Sequence, residues 1–178
     1  MPGGRTGLAG LAGALALAGC GNPGAPTSEE DIAAEGAKLT KPLPGRYTSI
    51  TELVDYQLRG ASPQDADRLK QEMSAMTGQS RSYCLTEREA EKGFEDMWRR
   101  SQEGECRFER FEVDGDKLSA TMNCTTPQGV ISRVAMEGAS AAESSHMRLT
   151  IEQQTRAVPG KTVKMVLEID NLREGDCS

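Results

Sequence analysis

Few residue types in this chain could do chemistry: five cysteines, one histidine, eight methionines and 27 acids in 178 residues. His146 is the sole histidine, so a Ser-His-Asp or Cys-His enzyme would have to use it. Alternation places it on the polar side of a strand, beside Ser144 and Ser145, where it reads as a solvated residue. One imidazole cannot supply two ligands, so a metal site built on histidines is excluded. Gly115, Gly129, Gly138 and Gly160 read as turn residues, and none belongs to a phosphate-cradling glycine motif. Glu103 with Glu105, and Glu109 with Glu112, flank a hairpin and read as solvated edges, and Glu87–Lys92 reads as a polar helix face. No catalytic residue, metal or cofactor is expected. A carboxylate-dependent hydrolase remains the alternative, and it requires two acids with perturbed pKa in one cleft.

The cysteines carry more information. Cys20 closes Leu17-Ala18-Gly19-Cys20, after Arg5 and an apolar run from Leu8 to Gly19. A basic start, a short apolar region and small residues before the cut describe a secretory signal. The apolar part is too short to span a bilayer as a helix, which takes about 20 residues. The last four residues resemble the lipobox of bacterial lipoproteins. That resemblance implies cleavage after Gly19 and acyl chains such as palmitate on Cys20, holding the protein to a membrane. An ordinary cleaved signal with a chance cysteine is the rival reading. Gly21 is not Asp, which by the same resemblance favours the outer membrane, on its periplasmic side.

Lipidating Cys20 leaves Cys84, Cys106, Cys124 and Cys177. Four cysteines in an exported domain suggest two disulfides, with three connectivities open. Two alternating runs around Asp114-Gly115-Asp116 read as a hairpin. Turning about Gly115 sets Cys106 opposite Cys124 and Phe108 opposite Met122, so Cys106–Cys124 is the expected cross-strand bridge. Cys84–Cys177 then remains. A four-thiolate zinc site would want C-x-x-C pairs, which are absent.

The elements around these residues follow from period and punctuation. Residues 1–19 are the expected signal, 20–44 a lipidated Cys with a flexible Gly/Pro-rich tether, and 45–178 one domain. Residues 46–58 alternate as a strand. Ser62 and Pro63 open a helix whose face is Ala66, Leu69, Met73 and Met76, ended by Gly78. Residues 80–85 form a short strand. Thr86 and Glu89 make a capping box for a second helix, with Ala90, Phe94, Met97 and Trp98 on its stripe. From Cys106 the period becomes two. Leu118 and Met122, then Val134 and Met136, then Met147, Leu149 and Ile151, then Val163, Met165, Leu167 and Ile169 fall on one parity. Phe108 and Phe111 differ in parity, which predicts a bulge or a strand buried on both faces. The expected fold is α+β and mainly β. It is an antiparallel meander of about seven strands, curved or partly closed, with two helices on its apolar face.

In order, the marks are Pro44-Gly45-Arg46-Tyr47, the helix with Met73 and Met76, Cys84-Leu85-Thr86, Cys106 to Phe111, Cys124 and Gly175-Asp176-Cys177. Together they resemble a family of small bacterial exported proteins known as domain of unknown function 3617. Tyr47 departs from the family's commoner Trp, and the strands are poorer in Met and Thr. The resemblance implies no activity.

Methionine is the odder signal. Met73, Met76, Phe94, Met97, Trp98, Met122, Met136 and Met165 are the candidate lining of an apolar pocket, since flexible thioethers make adaptable surfaces. Plain core filling between helices and sheet is the commoner use, and Cu(I) binding a remote one. The formal net charge of −6 argues against nucleic acid as a partner. The expected function is a non-catalytic envelope module that binds an apolar ligand or an envelope protein.

Overall fold

Strict alternation over five successive runs builds a sheet before it builds anything else. A computed structural model describes residues 28–95, 99, 105–127, 129–155 and 160–177. The signal segment, Cys20, Met97, Trp98 and Glu103 lie outside the described residues. The described elements are α1 (Glu29–Gly36), β1 (Gly45–Arg59), α2 (Pro63–Thr77), β2 (Ser80–Leu85), α3 (Glu87–Lys92), β3 (Cys106–Asp114), β4 (Lys117–Thr125), β5 (Val130–Ser140), β6 (Ser144–Thr155) and β7 (Thr162–Gly175).

All seven strands join one antiparallel sheet in the order β2-β1-β7-β6-β5-β4-β3. β3 to β7 meander by short turns, and β1 then lies beside β7 with β2 outside it. The sheet is open, with β2 and β3 as its edges. The hairpin register sets Cys106 opposite Cys124 and Phe108 opposite Met122, as the turn predicts. The expected bulge falls between Phe108 and Arg110, which brings both phenylalanines to the core at 5.3 Å between ring centroids. Disulfides join Cys106 to Cys124 and Cys84 to Cys177, with Cα atoms 4.0 and 5.8 Å apart.

Residues 28–44 correct the expected tether. Ser28 caps α1, and its hydroxyl and the Asp31 carboxylate form a reciprocal capping box. Ile32 and Leu39 are 2% and 4% exposed, and they pack into the core with Phe108, Phe111, Leu118, Ala120, Val134 and Met136. Two apolar residues sufficed because the sheet, not α1, supplies most of the surface they bury against.

The other helices begin where their caps predict. Ser62 accepts from the Asp65 amide, and Thr86 with Glu89 completes a second capping box. α2 has no buried residue, and it packs on β1 through half-buried Ala66, Leu69, Met73 and Thr77. Met76 is turned away from that face and is 70% exposed. α3 stops at Lys92, where Gly93 takes φ 58°, short of the stripe that reads on to Phe94.

Candidate functional site

The register lines the apolar parity of five strands into rows that cross the sheet. One row runs Met122, Val134, Ile151, Met165 and Tyr56. The next runs Ala120, Met136, Leu149, Leu167 and Leu53. The third runs Leu118, Gly138, Met147, Ile169 and Thr51. The result is an apolar belt. Its β4–β5 part is the buried core under Ile32 and Leu39. On β6 and β7 it changes character: Met147, Leu149, Ile151, Met165, Leu167 and Ile169 are only half-buried.

Gly138 lies inside β5, not in a turn as its residue type suggests. A Cβ there would stand 2.4 Å from the His146 carbonyl oxygen and 2.9 Å from Met147 Sδ. The missing side chain therefore lets the Met147 thioether lie against β5.

A polar row bounds the belt at one end. It runs Ser140, Ser145, Asn171 and Ser49 across β5, β6, β7 and β1. Asn171 Nδ2 donates to Ser145 Oγ at 3.0 Å, and buried Ser140 Oγ donates to the Thr40 carbonyl at 3.0 Å. Beyond this row, the segment leading to β1 crosses the sheet end. The Leu43 amide donates to the Ala142 carbonyl at 2.7 Å, and Arg173 Nε donates to the Pro44 carbonyl at 2.9 Å. Tyr47 is buried there and shares its hydroxyl between the Leu43 and Ala142 carbonyls at 2.8 and 3.2 Å. Burial raises its pKa above the usual phenol value.

The candidate lining residues therefore divide. Met122, Met136 and Met165 share the belt, Phe94 packs half-buried against the core, and Met73 faces β1. Met76 is remote from it, and Met97 and Trp98 lie outside the described residues. Sequence reasoning missed Ser145, Asn171 and Ser49. Their parity matches that of Met147, Ile169 and Thr51, but only the register puts them in one line.

The opposite face carries charged pairs, together with buried Val166 and exposed Ile131 and Leu172. His146 Nδ1 lies 2.8 Å from an Asp170 oxygen, Arg148 pairs with Glu168, and Arg133 pairs with Glu109 at 3.1 Å. The His146–Asp170 and Arg133–Glu109 pairs are exposed and Arg148–Glu168 is part-buried; charged groups of this kind keep a sheet face soluble. Among the described residues, no group of three His, Cys, Asp or Glu side chains could hold a metal ion.

Three acids among the described residues have a pKa shifted downward. A cleft of about 850 Å³ between α1 and the β3–β4 hairpin holds two of them, Glu35 and Glu112. A hydrogen bond from Lys38 lowers Glu35, and one from Arg110 lowers Glu112. The third, Asp65, is lowered by its cap bond with Ser62. A general acid at neutral pH needs the opposite shift.

A family model described as "Protein of unknown function (DUF3617)" matches residues 42–177. The chain belongs to that family. The DUF3617 match takes in every strand and both disulfides, and it leaves α1 outside. Within this DUF3617 chain, α1 nevertheless supplies Ile32 to the core. No curated protein and no solved structure matches the chain.

Proposed function

We propose that this DUF3617 protein is a non-catalytic binding module of the cell envelope. Acyl chains on Cys20 hold it at the periplasmic side, at the outer membrane, and its apolar belt takes an apolar ligand. The observation that carries the reading is the half-buried stretch of Met, Leu and Ile side chains on β6 and β7. Two of its six residues are methionines, whose flexible thioethers adapt to varied apolar shapes. Apolar side chains with a few hydrogen-bonding groups at their edge are the usual lining of a small-molecule site. The downward shifts of Glu35, Glu112 and Asp65 lend no support to a carboxylate-dependent hydrolase. An envelope protein could occupy the same belt, but the polar row at its end favours a small ligand.

The test is native purification from membranes, followed by lipid mass spectrometry. A reproducible co-purified apolar molecule is expected. The intact mature chain should also carry acyl mass on Cys20 and no free thiol. Clean apo protein from several preparations would sink the ligand reading, and one free thiol per chain would return Cys20 to the disulfide question.

A further inference from the structure

On the face opposite the belt, the β3–β4–β5 end of the sheet holds a groove of about 630 Å³. Thr121, Asn123 and Thr125 alternate along β4 and form its floor, about 14 Å long at the rise of a strand. Longer side chains stand on either side: Arg107 and Arg110 on β3, and Arg133 on β5. The register sets Arg107 and Arg133 on the two flanks of Asn123, about 10 Å apart across two strand spacings. The bulge adds a feature that regular pairing would not. Glu109 is left without a partner residue on β4, and its carboxylate accepts from Asn123 Nδ2 at 2.5 Å and from Arg133 Nη2 at 3.1 Å. Those bonds hold the amide and one guanidinium in place.

The charged groups around the groove are not equivalent. Arg133 is matched by Glu109, with Glu152 opposite it on β6, and Arg110 is paired with Glu112. Arg107 is exposed and has no ion-pair partner among the described residues. Glu105 closes the Thr125 end. Its φ of 55° is uncommon outside glycine, and its carbonyl accepts from the Thr125 amide at 3.3 Å. Acceptors and donors therefore lie side by side in the groove. Glu105, Asn123 Oδ1 and the threonine hydroxyls accept, and the guanidiniums donate. A sugar hydroxyl both donates and accepts, so a polyhydroxylated ring uses both kinds of partner. A phosphate or sulfate only accepts, and Glu105 and Glu109 would repel its greater charge. A single carboxylate matches the planar fork of Arg107. Phe108 is the apolar residue of the lining and is 5% exposed, so a peptide with apolar anchors would gain little here.

We infer that this groove binds an acidic saccharide, polyhydroxylated rings that bear a carboxylate. The carboxylate lies on Arg107, and the ring hydroxyls bond to Thr121, Asn123, Thr125 and Glu105. The site is on the other face of the sheet from the apolar belt and does not depend on it.

The experiment titrates the exported, oxidised protein, labelled with nitrogen-15, with disaccharides that carry glucuronate, galacturonate or mannuronate. Each is compared with its neutral counterpart, which has a hydroxymethyl group in place of the carboxylate. At least one uronate should bind at millimolar concentration or below and shift the Thr121, Asn123 and Thr125 amides. It should bind at least about tenfold more tightly than its neutral counterpart, the order of loss when a charge-assisted hydrogen bond goes. Succinate, which has the acid without the ring hydroxyls, should bind at least about tenfold more weakly than the uronate. Arg107→Gln should remove the preference for the uronate and leave the neutral sugar's affinity unchanged. Thr121→Val, which keeps the shape and drops the hydroxyl, should weaken both sugars of a pair alike. The amide spectrum of each variant separates a lost site from a lost fold, and exposed Arg107 is replaced without opening the core. Equal affinity for uronate and neutral sugar, an undiminished preference in Arg107→Gln, or succinate binding as tight as the uronate would overturn the saccharide assignment. Binding of no uronate, or shifts confined to strands other than β3, β4 and β5, would overturn the site itself.

Discussion

At position 138 the space for a side chain is already taken. The Cβ direction of Gly138 runs into the His146 carbonyl oxygen at 2.4 Å, a backbone atom of the paired strand that cannot move alone. Met147 Sδ fills what remains at 2.9 Å. Gly138→Ala must therefore push β5 and β6 apart or expel the thioether. Overpacking of this kind costs about 1–3 kcal/mol. We expect a clear drop in the thermal midpoint of Gly138→Ala, with the fold retained. A midpoint equal to that of the parent would contradict the close approach. Residue type alone could not have located this contact, because an isolated glycine in a polar stretch also reads as a turn. By contrast, the cysteine pairing was legible from residue positions, since a two-residue alternation about Gly115 leaves little freedom in what faces Cys106.

α1 is held to the sheet at the β3 edge by a charge as well as by Ile32. The Glu35 carboxylate accepts from the Val113 amide at 3.2 Å, occupying an edge-strand donor that would otherwise be open, and it also accepts from Lys38. The Lys38 hydrogen bond chiefly lowers the Glu35 pKa below 4.5; burial opposes the shift, and the Val113 bond adds to it. A carboxyl with a depressed folded pKa contributes stability above its unfolded value and loses it as pH falls through the folded value. The protein should therefore lose stability on acidification below about 4.5 more steeply than Glu35→Gln does. Denaturant midpoints measured from neutral pH to pH 3 would check this, and parallel profiles would refute it. Capping residues announced where every described helix starts except α1. There the box closes with Asp31, and Ile32 is the one buried apolar side chain of a mostly polar helix, beside buried Gly36. A short helix of that composition is stable only through what it packs on.

Over the whole molecule, the two disulfides restrain very different lengths of chain. Cys106–Cys124 closes 18 residues within one hairpin, whereas Cys84–Cys177 closes 93 and ties β2 to the end of β7 across β1. In the chain-entropy account the shorter loop contributes about 3 kcal/mol and the longer about 4–5. Replacing both cysteines of the longer bridge by Ser should therefore destabilise the protein more than the same change at the hairpin. Equilibrium unfolding in denaturant gives the order directly, and a reversed order would show that loop length is not what the long bridge acts on.

The sequence by itself determined the strands from Cys106 onward, the hairpin register, and the caps of α2 and α3. Each follows from spacing within a few residues, where the backbone period leaves one solution. Tertiary structure alone decided that β1 lies between β7 and β2, that residues 28–44 build core instead of tether, and that Met76 turns outward while Met147 lies on Gly138. It alone also set Ser145, Asn171 and Ser49 in one row at the end of the belt. These depend on contacts between segments far apart in the chain. A local pattern says which side of a strand is apolar, but it does not say which strand comes to lie beside it.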